Sequence, residues 1–431
     1  MFLAKQIDWV KTKLDSTFVR NLGWLGISKL IIRVSRLAAT IALARYLSRY
    51  DFGLAALVLT VYDFTQIFTR FGIGSKLIQA DEADLDELCE GAYSLNWVIF
   101  SGLFIAQCIA AFPVSHFYHD PHLVLPICVL AIVYLISPWG RIQETLIQRE
   151  NRLKVTALAN ALQLSIANIL TVVLAYFLAI RGFGLWAIVL PKVLSTPVSA
   201  IIALRYHSWR PSGKFTTKRW GEIFNFGWNI LLISVLGTLR NNLDYLLVGR
   251  FLGLKALGLY YFAFNSGLGI SLEIVQMIST ALYPYICEAR EEWSRFRKRY
   301  FKSLAVVGLI MTPIILLQTT LAPFYVPLVF GREWVPGIPV LILICSCAIP
   351  SALVMVVSSL LTAVDKPHLA MYWNMGFTAL FASGLFIGIH WGIVGVAASV
   401  LISNLVFAPT FTLWATWYVF GKNKSIAQIG G

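Results

Sequence analysis

Twelve apolar stretches, each longer than the about 20 residues that a bilayer-crossing helix needs, follow one another along this 431-residue chain. They cover residues 18–47, 52–79, 92–113, 123–148, 155–180, 184–206, 222–250, 256–286, 302–323, 337–364, 369–389 and 392–420. Only 13% of the residues are charged and 58% are apolar, whereas charged residues make up about a quarter of an ordinary soluble domain. A soluble protein of this length cannot cover so much apolar surface. The same composition excludes a disordered chain, a collagen and a disulfide-rich secreted scaffold. The expected fold class is therefore an all-α polytopic membrane protein, because helices satisfy their own backbone hydrogen bonds in lipid.

Lysine and arginine set the orientation. With the N-terminus in the cytoplasm, 23 of the 35 fall in cytoplasmic segments, six outside and six within spans. Cytoplasmic loops of membrane proteins carry this excess, so both termini are expected inside. The net charge of +14 thereby has an explanation that needs no nucleic acid. The six cysteines form no CxxC pair and read as small core residues. No cleavable signal is evident, since the first apolar stretch is too long for one. Segment 1–17 places Leu3, Ile7, Val10 and Leu14 on one helical face, as an interfacial helix would. Segment 288–302 sets six Arg and Lys around Trp293 and Phe296, which suits anionic lipid headgroups or a plain charged loop.

The chain repeats itself once. Asn21-Leu22-Gly23-Trp24 matches Asn225-Phe226-Gly227-Trp228, and Ala44-Arg45-Tyr46-Leu47 matches Gly249-Arg250-Phe251-Leu252. Phe52-Gly53-Leu54 matches Leu257-Gly258-Leu259, and Pro138 and Pro350 correspond more weakly. Six spans in each half make the halves run the same way through the membrane. The expected organisation is an N-terminal lobe over 1–207, a cytoplasmic linker over 208–219 and a C-terminal lobe over 220–431. Two parallel six-helix bundles around a central space suit an alternating-access transporter.

Charges inside spans are costly, and each one is a functional candidate by default. Lys29, Arg33 and Arg36 are spaced i, i+4, i+7 and fall on one stripe of the first span. Arg70 and Asp63 lie in the second span, Lys192 after Pro191 in the sixth, Arg240 and Asp244 in the seventh and Glu273 in the eighth. Six cations thus face three acids. The excess calls for an anionic ligand, and a pyrophosphate group fits the arginine fork. The substrate-binding candidates are Lys29, Arg33, Arg36, Arg70, Lys192 and Arg240. Mutual pairing is the alternative, above all for Asp244 with Arg240; Lys192 and Arg70 have the further alternative of snorkelling to a membrane face. Asp63, Asp244 and Glu273 are candidates for coupling to H+ or Na+, because exchange at a buried carboxylate biases a conformational equilibrium.

Other chemistry is thin. His116, His119 and His122 in the outer loop HFYHDPH give a weak metal signal, and no metal site is expected. No Walker A sequence appears, no cofactor is expected, and no long extracytoplasmic segment exists to house an enzyme active site. The acidic run Asp81, Glu82, Asp84, Asp86, Glu87 and Glu90 reads as a solvated cytoplasmic loop.

Several motifs bear a family resemblance. ALARYLSRYDFGLAAL (42–57), FTRFGIGSKLIQ (68–79), RNNLDYLLVGRFLGLKALGLYYFA (240–263), PLVFGREW (327–334) and GIVGVAAS (392–399) stand in the order and spacing of bacterial polysaccharide flippases. The chain resembles these Wzx-type exporters of the multidrug/oligosaccharidyl-lipid/polysaccharide superfamily, which also contains MATE drug exporters and lipid II flippases. Arg70 stands where the family commonly has an acid. The resemblance implies a MATE-like fold and a flippase, not an enzyme. The implied cargo is an undecaprenyl-pyrophosphate-linked oligosaccharide, carried across the bacterial inner membrane for O-antigen or exopolysaccharide synthesis. Implied partners are anionic membrane lipids and the polymerase and assembly proteins of the pathway. A MATE-like cation-coupled drug exporter would share the fold, but a positive interior repels cationic drugs. A membrane enzyme of polysaccharide assembly is the third reading.

Overall fold

The computed structural model describes residues 17–70, 72–290 and 292–421, so the expected interfacial segment at the N-terminus lies, but for Thr17, outside the described residues. Among the described residues the chain is helical and forms no strand. The helices are α1 (Thr17–Tyr46), α2 (Arg49–Gln66), α3 (Ile73–Gln79), α4 (Leu85–Tyr118), α5 (Val124–Ile136), α6 (Pro138–Arg149), α7 (Leu153–Ala179) and α8 (Trp186–Tyr206). They continue as α9 (Trp220–Phe251), α10 (Leu254–Ala263), α11 (Gly269–Cys287), α12 (Trp293–Tyr325), α13 (Ile338–Ser346), α14 (Ala348–Ala363), α15 (Pro367–Gly388) and α16 (Gly392–Phe420).

Helix occupies every one of the twelve expected stretches, several in two pieces. Among the described residues, seven helical stretches are long and apolar enough to cross a membrane, or eight with one bent pair counted as a span. One of the seven, Pro367–Phe420, is two helices, α15 and α16, joined by a turn at Ile389–Trp391. Many large apolar side chains face outward, among them Leu309, Leu328 and Leu413, each more than 70% exposed. Water would penalise that surface and hydrocarbon does not.

The repeat is visible in how equivalent turns are built. Between α1 and α2, Ser48 caps the second helix: its Oγ accepts from the Asp51 N–H at 3.2 Å, and the Asp51 carboxylate accepts from the Ser48 N–H at 3.1 Å. At the matching place between α9 and α10 stands Gly253, whose φ of 85° is open to glycine and costly for a side chain. The fourth helix of the first half breaks between α5 and α6 by 53° at Pro138, where the missing N–H and the ring interrupt the ladder. Its counterpart in the second half, α13 with α14, breaks at Cys347 but passes as one span despite Pro350.

The chain groups into two compact units, Met1–Asn241 and Asn242–Gly431. The change from one unit to the other falls inside α9. The segment 208–219 is fastened to the first unit. Arg219 donates to both Asp84 oxygens, at 2.7 and 3.2 Å, and pairs with Glu87 and Glu222. Hydrogen bonding to Asp84 raises the Arg219 pKa. Lys218 pairs with Glu87, the Ser212 N–H donates to Glu90, and Trp220 Nε1 donates to the Gly91 carbonyl. Gly91 passes so close to the strap that a Cβ there would stand 2.5 Å from the Lys218 carbonyl oxygen. Glu82 is taken by Arg149 at 3.0 Å. The acidic run expected as a solvated loop is therefore, at Glu82, Asp84, Glu87 and Glu90, the receptor for basic and N–H groups.

In the second unit, α15 and α16 pack through small residues. Gly384 and Gly388 on α15 meet Ser403, Ser399 and Gly395 on α16, and a Cβ on Gly388 would stand 2.5 Å from the Gly395 carbonyl oxygen. Lipid tails are as apolar as the helices, so close backbone approach is what holds such a pair. Arg290 and Asp365 are bonded to each other, and Arg299 bonds Glu288 and the Tyr285 carbonyl, which folds segment 288–302 onto the unit.

Gly388→Val should separate α15 from α16 and destabilise the protein by about 1–3 kcal/mol, an overpacking cost, read as a lower melting temperature in detergent. Arg219→Ala should release the strap, so that chymotrypsin cuts at Phe215 faster than in wild type. An unchanged cleavage rate would show that the strap docks without this cluster.

Candidate functional site

The first unit holds an ionisable cluster at the meeting of α2 and α8. Gly184, just before α8, backs onto Asp51 near the start of α2, where a Cβ would lie 2.8 Å from Asp51 Oδ2. Eight residues on from Gly184, Lys192 sets its Nζ 4.1 Å from the centre of the Tyr62 ring. Asp63, the neighbour of Tyr62 on α2, lies within electrostatic reach of Lys192. The structure thus brings together Lys192 and Asp63, two of the sequence candidates. Lys192 is partly buried and lies beside Tyr62.

Tyr62 is only 3% exposed and stacks on Tyr134 of α5, with ring centres 5.6 Å apart. The Tyr134 hydroxyl bonds Thr65 Oγ1 at 2.6 Å, Thr65 donates to Gln107 Oε1 at 2.5 Å, and Gln107 Nε2 donates to the Ile127 carbonyl at 2.9 Å. A buried network with its members bonded to one another is rigid. Reading the sequence for charges misses Tyr62, Thr65, Gln107 and Tyr134. The available signal is three polar groups in α2 beside Asp63, in a stretch otherwise apolar.

On α1, Arg33 is partly buried and Arg36 exposed, and Ser35 between them accepts a hydrogen bond from Asn168 of α7 at 2.9 Å. Arg240 on α9 is partly buried. The side chains of Lys29, Arg70 and Glu273 lie outside the described residues. Near the C-terminal end of the fourth span, Arg141 and Glu144 form the pair their spacing suggests, at 3.0 Å.

In the second unit Asp244 is 4% exposed. Its carboxylate accepts from the Tyr260 hydroxyl at 2.8 Å and from the Tyr245 N–H at 2.9 Å. The expected partner was a cation; the partners found are a tyrosine of α10 and a backbone amide. Tyr260 is fully buried, and Tyr245 packs edge-on against Tyr260, Tyr261 and Phe264. The segment 240–263 is thus a hairpin closed by one carboxylate and a cluster of aromatic rings. Just beyond it, Phe264–Leu268 winds as a π-helix, a local form frequent at functional sites. Among the described residues no group of three or more His, Cys, Asp and Glu is arranged to hold a metal ion.

Two repeated sets of membrane helices carrying ionisable groups within their spans define a multi-pass membrane protein with a transporter fold. Solved structures share that fold. An inward-facing multidrug resistance MATE transporter matches with a TM-score of 0.74 over 94% of this chain and 99% of its own, at 15% identity. The lipid II flippase MurJ in an inward closed conformation matches with a TM-score of 0.75 over 92% of this chain and 87% of its own, at 13% identity. At such identities the likeness is one of fold. In sequence, the polysaccharide biosynthesis protein family matches residues 42–339, and the chain belongs to that family. It is similar to the teichuronic acid biosynthesis protein TuaB of Bacillus subtilis, at 27% identity over 93% of this chain and 83% of the relative. It is also similar to the lipopolysaccharide biosynthesis protein WzxC of Escherichia coli, at 27% over 90% and 78%.

Tyr260→Phe removes the hydroxyl that Asp244 accepts from and leaves the ring. It should cost about 1–3 kcal/mol, the penalty for an orphaned buried acceptor, measured as a drop in thermal stability. Tyr261→Phe, which leaves the Asp244 bonds untouched, should cost less.

Proposed function

We propose that this protein is a flippase that moves an undecaprenyl-pyrophosphate-linked oligosaccharide repeat across the bacterial inner membrane by alternating access, for surface polysaccharide synthesis. The observation that carries the reading is membership of the polysaccharide biosynthesis protein family over residues 42–339, in a chain with six cations and three acids inside its spans besides the charges counted with the flanking segments. An anionic cargo balances that excess. Lys29, Arg33, Arg36, Arg70, Lys192 and Arg240 are the residues assigned to its pyrophosphate, and Asp63, Asp244 and Glu273 to coupling with H+ or Na+. Arginine serves this task because its planar fork matches two phosphate oxygens at once. Both termini are assigned to the cytoplasm on the distribution of Lys and Arg. Anionic lipids and the polymerase and assembly proteins of the pathway are the assigned partners. No catalytic step is assigned to the protein.

A drug-exporter role is less favoured. The likeness to MATE transporters is one of fold, and an interior rich in Arg and Lys repels cations.

The test is transport in proteoliposomes of a fluorescent undecaprenyl-pyrophosphate oligosaccharide, beside a cationic dye as the drug surrogate. The expected result is flipping of the first and no movement of the second; the converse overturns the assignment. Arg36→Ala should weaken apparent affinity about tenfold to a hundredfold, the worth of one charge-assisted bond of about 1.5–3 kcal/mol. Arg36→Lys should recover part of it, because lysine keeps the charge and loses the fork. Complementation of a flippase-deficient strain, with membrane abundance checked, gives the same ranking in cells.

A further inference from the structure

The environment of Lys192 differs from that of every other cation whose partners have been described above. Arg219, Arg149, Arg299 and Arg290 each lie against a carboxylate. Lys192 lies against a ring. Among the described residues no carboxylate forms an ion pair with it, and its Nζ stands 4.1 Å from the centre of Tyr62. The difference matters for what the ammonium can do next. A carboxylate neutralises a cation and occupies its N–H donors. A ring attracts the cation through its quadrupole, without contributing a negative charge or a conventional acceptor. Its N–H donors are left for an incoming anion.

The ring itself is held. Tyr62 stacks on Tyr134, and its hydroxyl accepts from Gln66 Nε2 at 3.2 Å. Tyr134 is locked by Thr65, which is locked by Gln107. On the other side of the contact, Pro191 and Pro197 bracket the turn of α8 that bears Lys192. Each proline removes one backbone donor from the helix. A rigid ring therefore faces a lysine on a helix segment with weakened backbone bonding. Such a pair lets the ammonium leave the ring for a ligand and return to the same place.

We propose that Tyr62 is a positioning residue that parks the Lys192 side chain against its ring without an ion pair, and that Lys192 takes a pyrophosphate oxygen of the cargo within the first unit. This deepens the flippase reading and rests on it for the identity of the cargo.

The test uses the full-length protein in detergent and inorganic pyrophosphate as the probe, with binding followed by calorimetry. The fluorescent lipid-linked oligosaccharide is then used in proteoliposomes. The variants are Lys192→Met, Lys192→Arg, Tyr62→Leu and Tyr62→Phe. Lys192→Met should weaken pyrophosphate binding about tenfold or more, and Lys192→Arg should restore most of it. Tyr62→Phe keeps the ring and should bind within about twofold of wild type. Tyr62→Leu removes the ring and should weaken binding about threefold to tenfold. In transport the same order should appear in KM, with kcat changed less. Thermal unfolding separates this from simple packing, because a merely structural lysine would lower stability without changing the dissociation constant of the folded protein. Equal pyrophosphate affinity in wild type, Lys192→Met and Tyr62→Leu overturns the proposal, whatever the transport result. Pyrophosphate binding that depends on Lys192 and Tyr62, in a wild-type protein that flips no lipid-linked oligosaccharide, supports the perch and overturns the flippase reading.

Discussion

The cost of carrying charge into hydrocarbon is the constraint on which the rest of this structure depends. A bare Arg or Lys at the centre of a bilayer costs about 2.5–3.5 kcal/mol by insertion scales and more by others. The protein meets that cost in two ways. At the ends assigned to the cytoplasm it pairs opposite charges directly, as in Arg219 with Asp84, Arg149 with Glu82 and Arg299 with Glu288. Within the spans, Lys192 and Asp244 are held by tyrosines, and Arg141 and Glu144 of the fourth span pair with each other. Ion pairs at the ends fasten segments together, while tyrosines in the spans hold charge without cancelling it.

That division has a mechanical side. The strap of residues 207–220 is bound to α4 and its approach by charge, by backbone donors and by the near-contact at Gly91. It belongs to the first unit, and the change of unit falls further on, inside α9. Direct ion pairs suit this task because they lie at the ends of the spans, where each desolvated charge keeps part of its hydration. The α15–α16 hairpin shows the complementary solution inside the membrane. There Gly384, Gly388, Gly395, Ser399 and Ser403 bring two backbones together without any charged residue in either helix.

Much of the architecture was legible in the sequence because hydrocarbon leaves so few options. A run of more than twenty apolar residues in lipid has to be helix, and helix was found at each expected stretch. The repeat was legible because the turn after Leu47 and that after Leu252 solve the same problem, one with a serine cap and one with glycine. The breaks within spans were less legible. Pro138 bends its span by 53° while Pro350 leaves its span straight enough to count as one, and the sequence alone gives both the same symbol. The partners of the strap were not legible because they lie more than a hundred residues away, and long-range pairing of modest polar segments has no periodicity to reveal it. The site was legible in its charges and illegible in its partners. Counting cations and acids found Lys192 and Asp244, but Asp244 was expected to meet a cation and Lys192 the ligand or a membrane face. Tyr62 and Tyr260 carry no charge and sit in aromatic-rich surroundings, where a tyrosine reads as packing.

Tyrosine is suited to both places for one physical reason. Its ring supplies a negative face for a cation and its hydroxyl supplies a donor for a carboxylate, and neither changes the net charge of the span. A carrier that cycles between loaded and empty states must keep its binding charges near full strength in the empty state, at a cost small enough for the helix bundle to fold. A fully paired interior would be stable and indifferent to cargo; a bare one would be too costly to fold. Lys192 on Tyr62 lies between these limits. So does Asp244 on Tyr260, in the other unit and with the opposite sign. On the assignment proposed above, the cargo at Lys192 and the coupling ion at Asp244 compete with a ring or a hydroxyl, which is a weaker rival than a carboxylate or a guanidinium, and that difference is the free energy available to couple binding to a change of conformation.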